Sequence, residues 1–331
     1  MENNSATAFA SPNIAFIKYW GNADPELNIP SNGSISMNLG GLSTKTTVEF
    51  ISQLKEDVLL IDDKPQNGES LHRVKKVLNK VRDYSGTQIY AEVKSQNNFP
   101  AGTGIASSAS AFAALSLAAT CASGLNLMES ELSRLARLGS GSACRSIPGG
   151  FVEWQAGTDD QSSYAKSIAP SEHWDLVDCI AVVSESHKSI GSKEGHSIAQ
   201  SSPFQATRIQ EAPARINICR EAILSKDFDL FASIVELDSN MMHAVTMTSK
   251  PSIIYWHPTT LTVINEVRKM RRRGIPVCYT IDAGPNVHVL CLEGSKSQVC
   301  SHLGSIPGIL EIINSYPGGP AYCLEQSETN N

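Results

Sequence analysis

The most informative stretch of the sequence is residues 98–111, which read Asn98-Phe99-Pro100-Ala101-Gly102-Thr103-Gly104-Ile105-Ala106-Ser107-Ser108-Ala109-Ser110-Ala111. Gly102 and Gly104 lack a Cβ atom, so a bound group can approach their backbone closely. The start of a helix presents unpaired N–H groups and a positive dipole end, and both favour phosphate. The run therefore predicts a strand end, a phosphate-binding loop and a helix. A plain glycine-rich turn capped by Ser107 would have the same local pattern.

The apolar spacing around this loop predicts a mixture of strands and helices. Alternating or continuous apolar residues predict strands over 7–18, 89–93, 179–183, 277–281 and 287–292, and paired strands within 44–60. Helical spacing predicts helices over 71–81, 107–122, 130–138, 203–245 and 261–273. Because runs of strands are followed by runs of helices, the pattern indicates an α+β fold rather than a strictly alternating parallel sheet.

A polar stretch from Ser184 to Ser202 interrupts the apolar periodicity. Such a change in composition is typical of a boundary between domains. We therefore predict an N-terminal α+β domain over residues 1–185 and a C-terminal α+β domain over residues 186–331.

The bulk composition excludes several classes of protein. The chain has 331 residues, of which 41% are hydrophobic and 18% charged, and its net charge is −6. These values are ordinary for a globular protein and do not suggest a nucleic-acid partner. No apolar run approaches the roughly 20 residues that span a bilayer, and the N-terminus lacks the pattern of a secretory signal. We expect a cytoplasmic protein that binds neither nucleic acid nor membrane.

The eight cysteines and eight histidines do not form a metal-binding pattern. No Cys-x-x-Cys pair occurs, and most of the cysteines lie in apolar surroundings. We expect all eight to be buried free thiols in a reducing compartment.

The glycine-rich loop resembles the phosphate loop of the GHMP small-molecule kinases. Three further stretches narrow the resemblance to the mevalonate diphosphate decarboxylases and the related phosphomevalonate decarboxylases, and they are Asn13–Gly21, Gly139–Ser146 and Asp282–Asn286. The resemblance implies a two-domain GHMP-kinase-like fold with the active site in the interdomain cleft. It also implies ATP and Mg²⁺ as cofactors, a phosphorylated mevalonate as the small-molecule substrate, and a role in isoprenoid biosynthesis. It allows a homodimer, although no segment of the sequence declares an interface.

The resemblance assigns the catalytic roles to three residues. Asp282 acts on the carbon-3 hydroxyl, as a general base or as an electrostatic partner; without the family context, an Asp before Gly-Pro indicates only a turn. Lys18 keeps that carboxylate ionised and stabilises charge on the transferred phosphoryl group. Arg145 binds the substrate carboxylate, to which a guanidinium can donate two parallel hydrogen bonds.

The binding residues follow from the same motifs. For the substrate they are Asn13, Tyr19, Asn22, Ser142, Ser146, Ser192 and Lys193. For ATP they are Gly102, Gly104, Ala106, Ser107 and Ser108 around the triphosphate, with Ser95 and Asn97 as candidates for adenine contacts. One of the two serines should lie near the metal, and Ser107 is the predicted Mg²⁺ ligand, although the sequence does not separate their roles.

Two departures from the family pattern concern the outer phosphate of the substrate. Asn22 stands where these decarboxylases commonly have lysine, and Lys193 stands where the family has arginine. Loss of a charge-assisted contact costs roughly 1.5–3 kcal/mol. We therefore expect (R)-5-phosphomevalonate as the preferred substrate, giving isopentenyl phosphate, CO₂, ADP and phosphate. The alternatives are (R)-5-diphosphomevalonate giving isopentenyl diphosphate, a mevalonate 3-kinase, and a catalytically inactive ligand-binding relative.

Overall fold

The structure of the chain is a computed structural model that describes residues 4–99, 107–184 and 190–324. Within these ranges the chain forms sixteen β-strands: β1 Ser5–Ala10, β2 Asn13–Ile17, β3 Asn22–Asp24, β4 Ile29–Pro30, β5 Ser34–Gly40, β6 Thr44–Phe50, β7 Val58–Ile61, β8 Lys64–Gln66, β9 Ala91–Asn97, β10 Phe151–Trp154, β11 Ala165–Ala169, β12 Leu176–Val182, β13 Val277–Thr280, β14 Val287–Leu292, β15 Glu311–Pro317 and β16 Tyr322–Cys323.

The same ranges contain eight α-helices: α1 Glu69–Ser85, α2 Ser107–Ala122, α3 Glu129–Gly139, α4 Ser192–Ile198, α5 Gln205–Ser225, α6 Phe228–Thr248, α7 Pro258–Arg272 and α8 Lys296–Gly304. None of these described helices combines the length and the apolar character that crossing a bilayer would require.

The first sheet has the strand order β16-β1-β6-β9-β7-β8 in the described chain. Neighbouring strands are antiparallel except for the parallel pair β7 and β9. Buried and more exposed residues alternate along β6, as expected for a sheet with one face on the core. Helices α1, α2 and α3 cover that face, with Val48 and Val93 of the sheet in the same apolar cluster as Val77 and Leu115.

The second sheet has the order β11-β10-β5-β15-β12-β14-β13, and β2 also pairs with β5. Helices α5 and α6 pack on one face, where Ile223 and Phe231 share a cluster with Met37 and Ile180. Helices α7 and α8 supply a separate cluster with β12, β13 and β14. Every residue of β12 is buried, because apolar layers lie on both of its faces.

Strand pairing joins the two halves of the sequence. Strand β15 pairs with β5 through Tyr316 and Gly40, and β16 pairs with β1 through Cys323 and Ala8. The predicted domain boundary between residues 185 and 186 lies outside the described residues, so the boundary stays a prediction.

The α+β class and the helices predicted from apolar spacing are confirmed. Helix α2 has the predicted bounds, and the predicted segment 203–245 is the helical hairpin of α5 and α6. The prediction of one strand over 7–18 is wrong, because the chain breaks at Pro12 and forms β1 and β2 in different sheets. Proline lacks the N–H that a continuous ladder needs and restricts the residue before it.

The predicted pairing within residues 44–60 is also wrong. Strands β6 and β7 both lie beside β9, which separates them in the sheet. Short-range alternation predicts that strands exist, but the pairing partner depends on a strand that enters the sheet only after α1.

The cysteine prediction needs one correction. Cys121 at the end of α2 and Cys323 in β16 form a disulfide, whereas the other six cysteines are free. The two residues are 202 positions apart in sequence, and they meet because β16 returns to the first sheet beside α2. The expectation of eight free thiols is therefore wrong for this pair.

A buried charge cluster connects α5 and α6 to the end of β2. The Asp238 carboxylate accepts hydrogen bonds from Arg215 Nε at 2.7 Å and from the Lys18 backbone N–H at 2.6 Å. Arg208 Nη2 lies 3.6 Å from the same carboxylate and donates to the Lys18 carbonyl at 2.7 Å. Asp238 and Arg208 are fully buried, so each charge depends on the other for compensation.

We expect Asp238→Ala to lower the free energy of unfolding by about 3–5 kcal/mol, because it would leave two buried guanidinium groups without their carboxylate. Urea unfolding followed by circular dichroism measures this change. Asp83→Ala, which removes an exposed carboxylate on α1, is the matched control and should change stability by less than about 0.5 kcal/mol. Equal stability of the two variants would contradict the assignment of Asp238 as the centre of the cluster.

Candidate active site

A cavity of about 720 Å³ lies where several segments of the chain meet. Its walls come from the turn after β2, from α1, from the start of α2, from the 3₁₀ turn Gly141–Ser146, and from α4 with the turn after β13. Most of the predicted site residues line it: Asn13, Lys18, Tyr19, Asn22, Ser107, Ser108, Ser142, Arg145, Ser192, Lys193 and Asp282. Segments far apart in sequence therefore deliver the predicted side chains to one cleft.

An ion pair between Lys18 and Asp282 lies on the inner wall. Lys18 Nζ donates to Asp282 Oδ1 at 2.6 Å and to the carbonyl of Ala15 at 2.7 Å. The Lys18 side chain is 1% exposed, whereas the Asp282 side chain keeps 28% of its surface accessible. The Asp282 carboxylate is thus bound by the buried Lys18 ammonium and remains partly accessible from the cleft.

Each of these two charged groups changes the pKa of the other. Burial alone would raise the pKa of Asp282, but the nearby positive groups, foremost Lys18 with His288 and Arg145, together lower that pKa below its ordinary value. Burial lowers the pKa of Lys18, and the Asp282 carboxylate opposes that shift. An aspartate of lowered pKa is ionised at neutral pH and is a weak base.

Arg145 is a buried cation that forms hydrogen bonds with neutral oxygens of the described residues. Its Nε and Nη2 donate to Asn13 Oδ1 at 3.2 and 3.0 Å, and its Nη1 donates to Ser34 Oγ at 2.6 Å. The guanidinium carbon lies 5.9 Å from the ring centroid of Trp154. In the described part of the chain, no carboxylate forms an ion pair with Arg145. Because buried charges are normally paired, this guanidinium is suited to an anionic ligand.

Asn13 fixes the orientation of Arg145. Its carbonyl oxygen accepts from the guanidinium, and its amide nitrogen donates to Ser146 Oγ at 2.8 Å and to the Ser142 carbonyl at 3.2 Å. Ser146 is fully buried, so it lies behind Asn13 and not on the cleft surface. Asn13 and Ser146 therefore lie where they can position Arg145, and Ser142 lines the cleft.

Tyr19 and Asn22 form a hydrogen-bonded pair beside this arginine. Burial raises the pKa of Tyr19, so its hydroxyl stays protonated and donates to Asn22 Oδ1 at 2.5 Å. The bond assigns the carbonyl end of the amide to Tyr19. The amide nitrogen of Asn22 remains as a neutral donor at the cleft.

Ser192 and Lys193 lie at the rim of the cleft, at the start of α4. Lys193 forms an ion pair with Glu69 of α1, and their side chains are 77% and 57% exposed. Exposed ion pairs of this kind are weak, so the Lys193 ammonium can exchange Glu69 for another anion.

Arg73 is a cleft residue that sequence reasoning missed. Its Nε donates to the Gly139 carbonyl at 2.8 Å, and its guanidinium lies 4.5 Å from the centroid of the Phe112 ring. Burial lowers the pKa of Arg73. No motif marks this residue, because it reaches the cleft only through the packing of α1 against α2 and α3. His196 of α4 lines the cleft as well and was also missed.

The predicted nucleotide residues divide into three groups. Gly102, Gly104 and Ala106 lie outside the described residues. Ser107 and Ser108 open α2 and line the cleft. Ser95 and Asn97 lie on β9, where they bond to Thr46 at 3.0 Å and Thr44 at 2.6 Å, and neither is among the residues that line the cavity. The adenine assignment therefore stays a prediction without a contact to the cleft.

The described residues contain no cluster of His, Cys, Asp or Glu side chains that could hold a metal by itself. Mg²⁺ commonly keeps several waters and binds through few protein ligands plus the phosphates of its nucleotide. The hydroxyls of Ser107 and Ser108 at the start of a helix suit that mode of binding. Ser107 stays the predicted magnesium ligand.

Two family models and several named relatives match this chain. Residues 10–165 match the family model "Diphosphomevalonate decarboxylase-like N-terminal domain", and residues 179–326 match "Mevalonate 5-diphosphate decarboxylase C-terminal domain". Diphosphomevalonate decarboxylase of Candida albicans is 40% identical over 92% of this chain and 90% of the relative. Phosphomevalonate decarboxylase of Haloferax volcanii is 33% identical over 98% of both chains.

Solved structures agree with this assignment. The structure of MDDEF in complex with MVAPP, AMPPCP and magnesium superposes with a TM-score of 0.91 and 37% sequence identity, covering 97% of this chain and 99% of that one. The two-domain GHMP-like fold expected from the motifs is confirmed. On the strength of both family models and of relatives that span nearly the whole chain, the protein belongs to the mevalonate diphosphate decarboxylase family, whose named members include a phosphomevalonate decarboxylase.

Proposed function

We propose that the chain catalyses the ATP-dependent decarboxylation of (R)-5-diphosphomevalonate, giving isopentenyl diphosphate, CO₂, ADP and phosphate. The observation that carries the proposal is the buried Arg145 guanidinium, whose hydrogen-bond partners among the described residues are neutral and which shares one cleft with the Lys18–Asp282 pair. A cation for a carboxylate and an ionised aspartate for a hydroxyl are the two groups that a 3-hydroxy acid substrate requires.

Arg145 binds the substrate carboxylate in this proposal. A planar guanidinium can donate two parallel hydrogen bonds to a carboxylate, and Asn13 already holds its plane through two contacts. A fixed orientation aligns the departing carboxylate with the rest of the substrate, which lowers the entropic part of the barrier.

Asp282 orients the carbon-3 hydroxyl toward the phosphoryl group of ATP. Its lowered pKa makes it a weak base, so an electrostatic and orienting role is better supported than full proton abstraction. Lys18 keeps Asp282 ionised and places a positive charge near the site of phosphoryl transfer. Loss of phosphate and CO₂ from the carbon-3 phosphorylated substrate then leaves the alkene.

ATP and Mg²⁺ are supported by the relative that was solved with AMPPCP and magnesium. Ser107 and Ser108 would hold the nucleotide and its metal at the start of α2. When bound, Mg²⁺ neutralises charge on the phosphates.

The outer phosphate of the substrate decides between the two 5-phosphorylated mevalonates. Most of the relatives are named diphosphomevalonate decarboxylases, and Arg73 and Lys193 bring positive charge to the cleft in addition to Lys18 and Arg145. Arg73 can thus supply charge that Asn22 does not. The monophosphate is the second candidate, because Asn22 is uncharged and because the Haloferax volcanii relative is named phosphomevalonate decarboxylase.

The test is steady-state turnover with ATP and Mg²⁺ on 5-diphosphomevalonate and 5-phosphomevalonate side by side, scored for both CO₂ and ADP. We expect a higher kcat/KM for the diphosphate, and a further rise in its ratio to the monophosphate of roughly 10-fold in Asn22→Lys, because a charge-assisted contact is added. Preference for the monophosphate would favour the second candidate. ADP without CO₂ would indicate a kinase and contradict the proposal.

Arg145→Lys should reduce kcat/KM by roughly 100-fold, since an ammonium cannot reproduce the bidentate contact to a carboxylate. Arg272→Lys is the matched control, because Arg272 is exposed at the end of α7. Thermal unfolding of both variants separates catalysis from stability. Retention of more than about a tenth of the activity in a folded Arg145→Lys variant would argue against carboxylate binding by Arg145.

Lys18→Met should raise the pKa of Asp282, because burial remains while the ammonium that lowers the pKa is removed. In the native protein we expect Asp282 to stay ionised as pH falls to the ordinary aspartate value of about 3.9, and in the variant to bind its proton at higher pH. A ¹³C NMR titration of the carboxyl carbon, assigned with Asp282→Asn, measures both. Lys18→Arg keeps the charge and is the control. An unchanged Asp282 titration in Lys18→Met would show that the ion pair does not cause the lowered pKa of Asp282.

A further inference from the structure

His196 lies in the wall of the cleft and has no role in the chemistry described above. It belongs to the short helix α4, and its imidazole lies between two aromatic rings. The centroid distances are 4.1 Å to Tyr19 and 4.7 Å to Trp20. Contact with both rings fixes the plane of the imidazole.

A backbone hydrogen bond fixes the tautomer of this imidazole. The N–H of Gly21 donates to His196 Nδ1 at 2.9 Å, so Nδ1 is an acceptor and carries no proton. Burial, together with the nearby Arg208 and Arg145 cations, lowers the pKa of His196 to about 3. The ring is therefore neutral near pH 7, and its one proton is on Nε2.

Among the described residues, the Nε2–H group of His196 has no hydrogen-bond acceptor. No carbonyl or side chain in the described part of the chain accepts a hydrogen bond from it, and it is not among the fully enclosed polar atoms that lack a partner. His196 is half-buried and lines the cleft, for which the proposed ligand is an anion. A buried or half-buried donor normally has a partner, and a ligand oxygen can be that partner.

The surroundings of His196 indicate which part of the ligand it meets. Ser192 lies one helical turn earlier on the same face of α4, and Tyr19, against which the imidazole packs, holds Asn22 at its hydroxyl. Asn22 and Lys193, which follows Ser192, are the positions that the family pattern connects with the outer phosphate of the substrate. His196 thus adds a neutral donor to that end of the cleft.

We propose that His196 is a substrate-positioning residue of this same site, whose Nε2–H donates a hydrogen bond to a phosphate oxygen of the 5-phosphorylated substrate. The inference rests on the proposed function. A neutral donor orients the phosphate because its hydrogen bond is directional. The imidazole already has its proton on Nε2, so no proton has to move before the substrate binds.

The test compares His196→Met with His196→Gln, using 5-diphosphomevalonate, ATP and Mg²⁺. Methionine fills a similar volume without a donor, whereas glutamine carries an N–H donor near the position of Nε2. We expect the KM for 5-diphosphomevalonate to rise about 10-fold in His196→Met and by less than about threefold in His196→Gln. The KM for ATP should change by less than about twofold in both variants. Thermal unfolding monitors packing.

Two kinetic outcomes would overturn the proposal. One is an unaltered KM for 5-diphosphomevalonate in His196→Met. The other is an equal loss of kcat in both variants together with equal loss of stability, which would indicate that the imidazole only supports Tyr19 and Trp20. A failed proposed function has a different signature, because the native enzyme would then release no CO₂ from either substrate.

A measurement on the native protein decides the matter even where a variant does not fold or turnover is absent. In ¹⁵N-histidine NMR at neutral pH, His196 should show a protonated Nε2 and an unprotonated Nδ1, and the Nε2 resonance should shift on addition of 5-diphosphomevalonate. A proton on Nδ1, or an Nε2 resonance that does not respond to saturating 5-diphosphomevalonate, would overturn the inference.

Discussion

The ion pair between Lys18 and Asp282 joins the end of β2 to the turn after β13, and the cleft is arranged around it. A buried lysine is stable only when its charge is compensated, so the two strand ends must meet in one geometry. The helical hairpin supports that geometry from behind. The Asp238 carboxylate of α6 accepts a hydrogen bond from the Lys18 backbone N–H, and Arg208 of α5 donates one to the Lys18 carbonyl. Both backbone polar groups of Lys18 are therefore bound by the helical hairpin.

The cleft carries local positive charge in a protein whose net charge is −6. Lys18 is balanced by Asp282, whereas the guanidinium of Arg145 is buried against neutral oxygens of Asn13 and Ser34. The uncompensated charge makes an anionic ligand the natural partner of this wall. Neutral donors from Asn22 and His196 complement it, because each is oriented by another group: Tyr19 holds the amide, and Gly21 fixes the imidazole.

Local sequence was sufficient for elements whose signal is local. The residue pattern of 107–122 predicted α2 with its observed bounds, and Gly86 ends α1 in a left-handed conformation that glycine adopts readily. Strand pairing could not be predicted from local sequence. Pro12 divides one predicted strand between two sheets, and β9 enters between β6 and β7, so the partners depend on chain returning from elsewhere. The Cys121–Cys323 disulfide depends on the same kind of return.

The family and the candidate residues Lys18, Arg145 and Asp282 could be recognised from the sequence alone, because they lie in motifs whose residue types and order need no coordinates. Tertiary structure decided which groups face the ligand and in which protonation state. Arg73 and His196 carry no motif; they reach the cleft because α1 and α4 pack there. The lowered pKa of Asp282 and the neutral ring of His196 arise from burial and from charges distant in sequence, and such through-space effects exist only once the chain has folded.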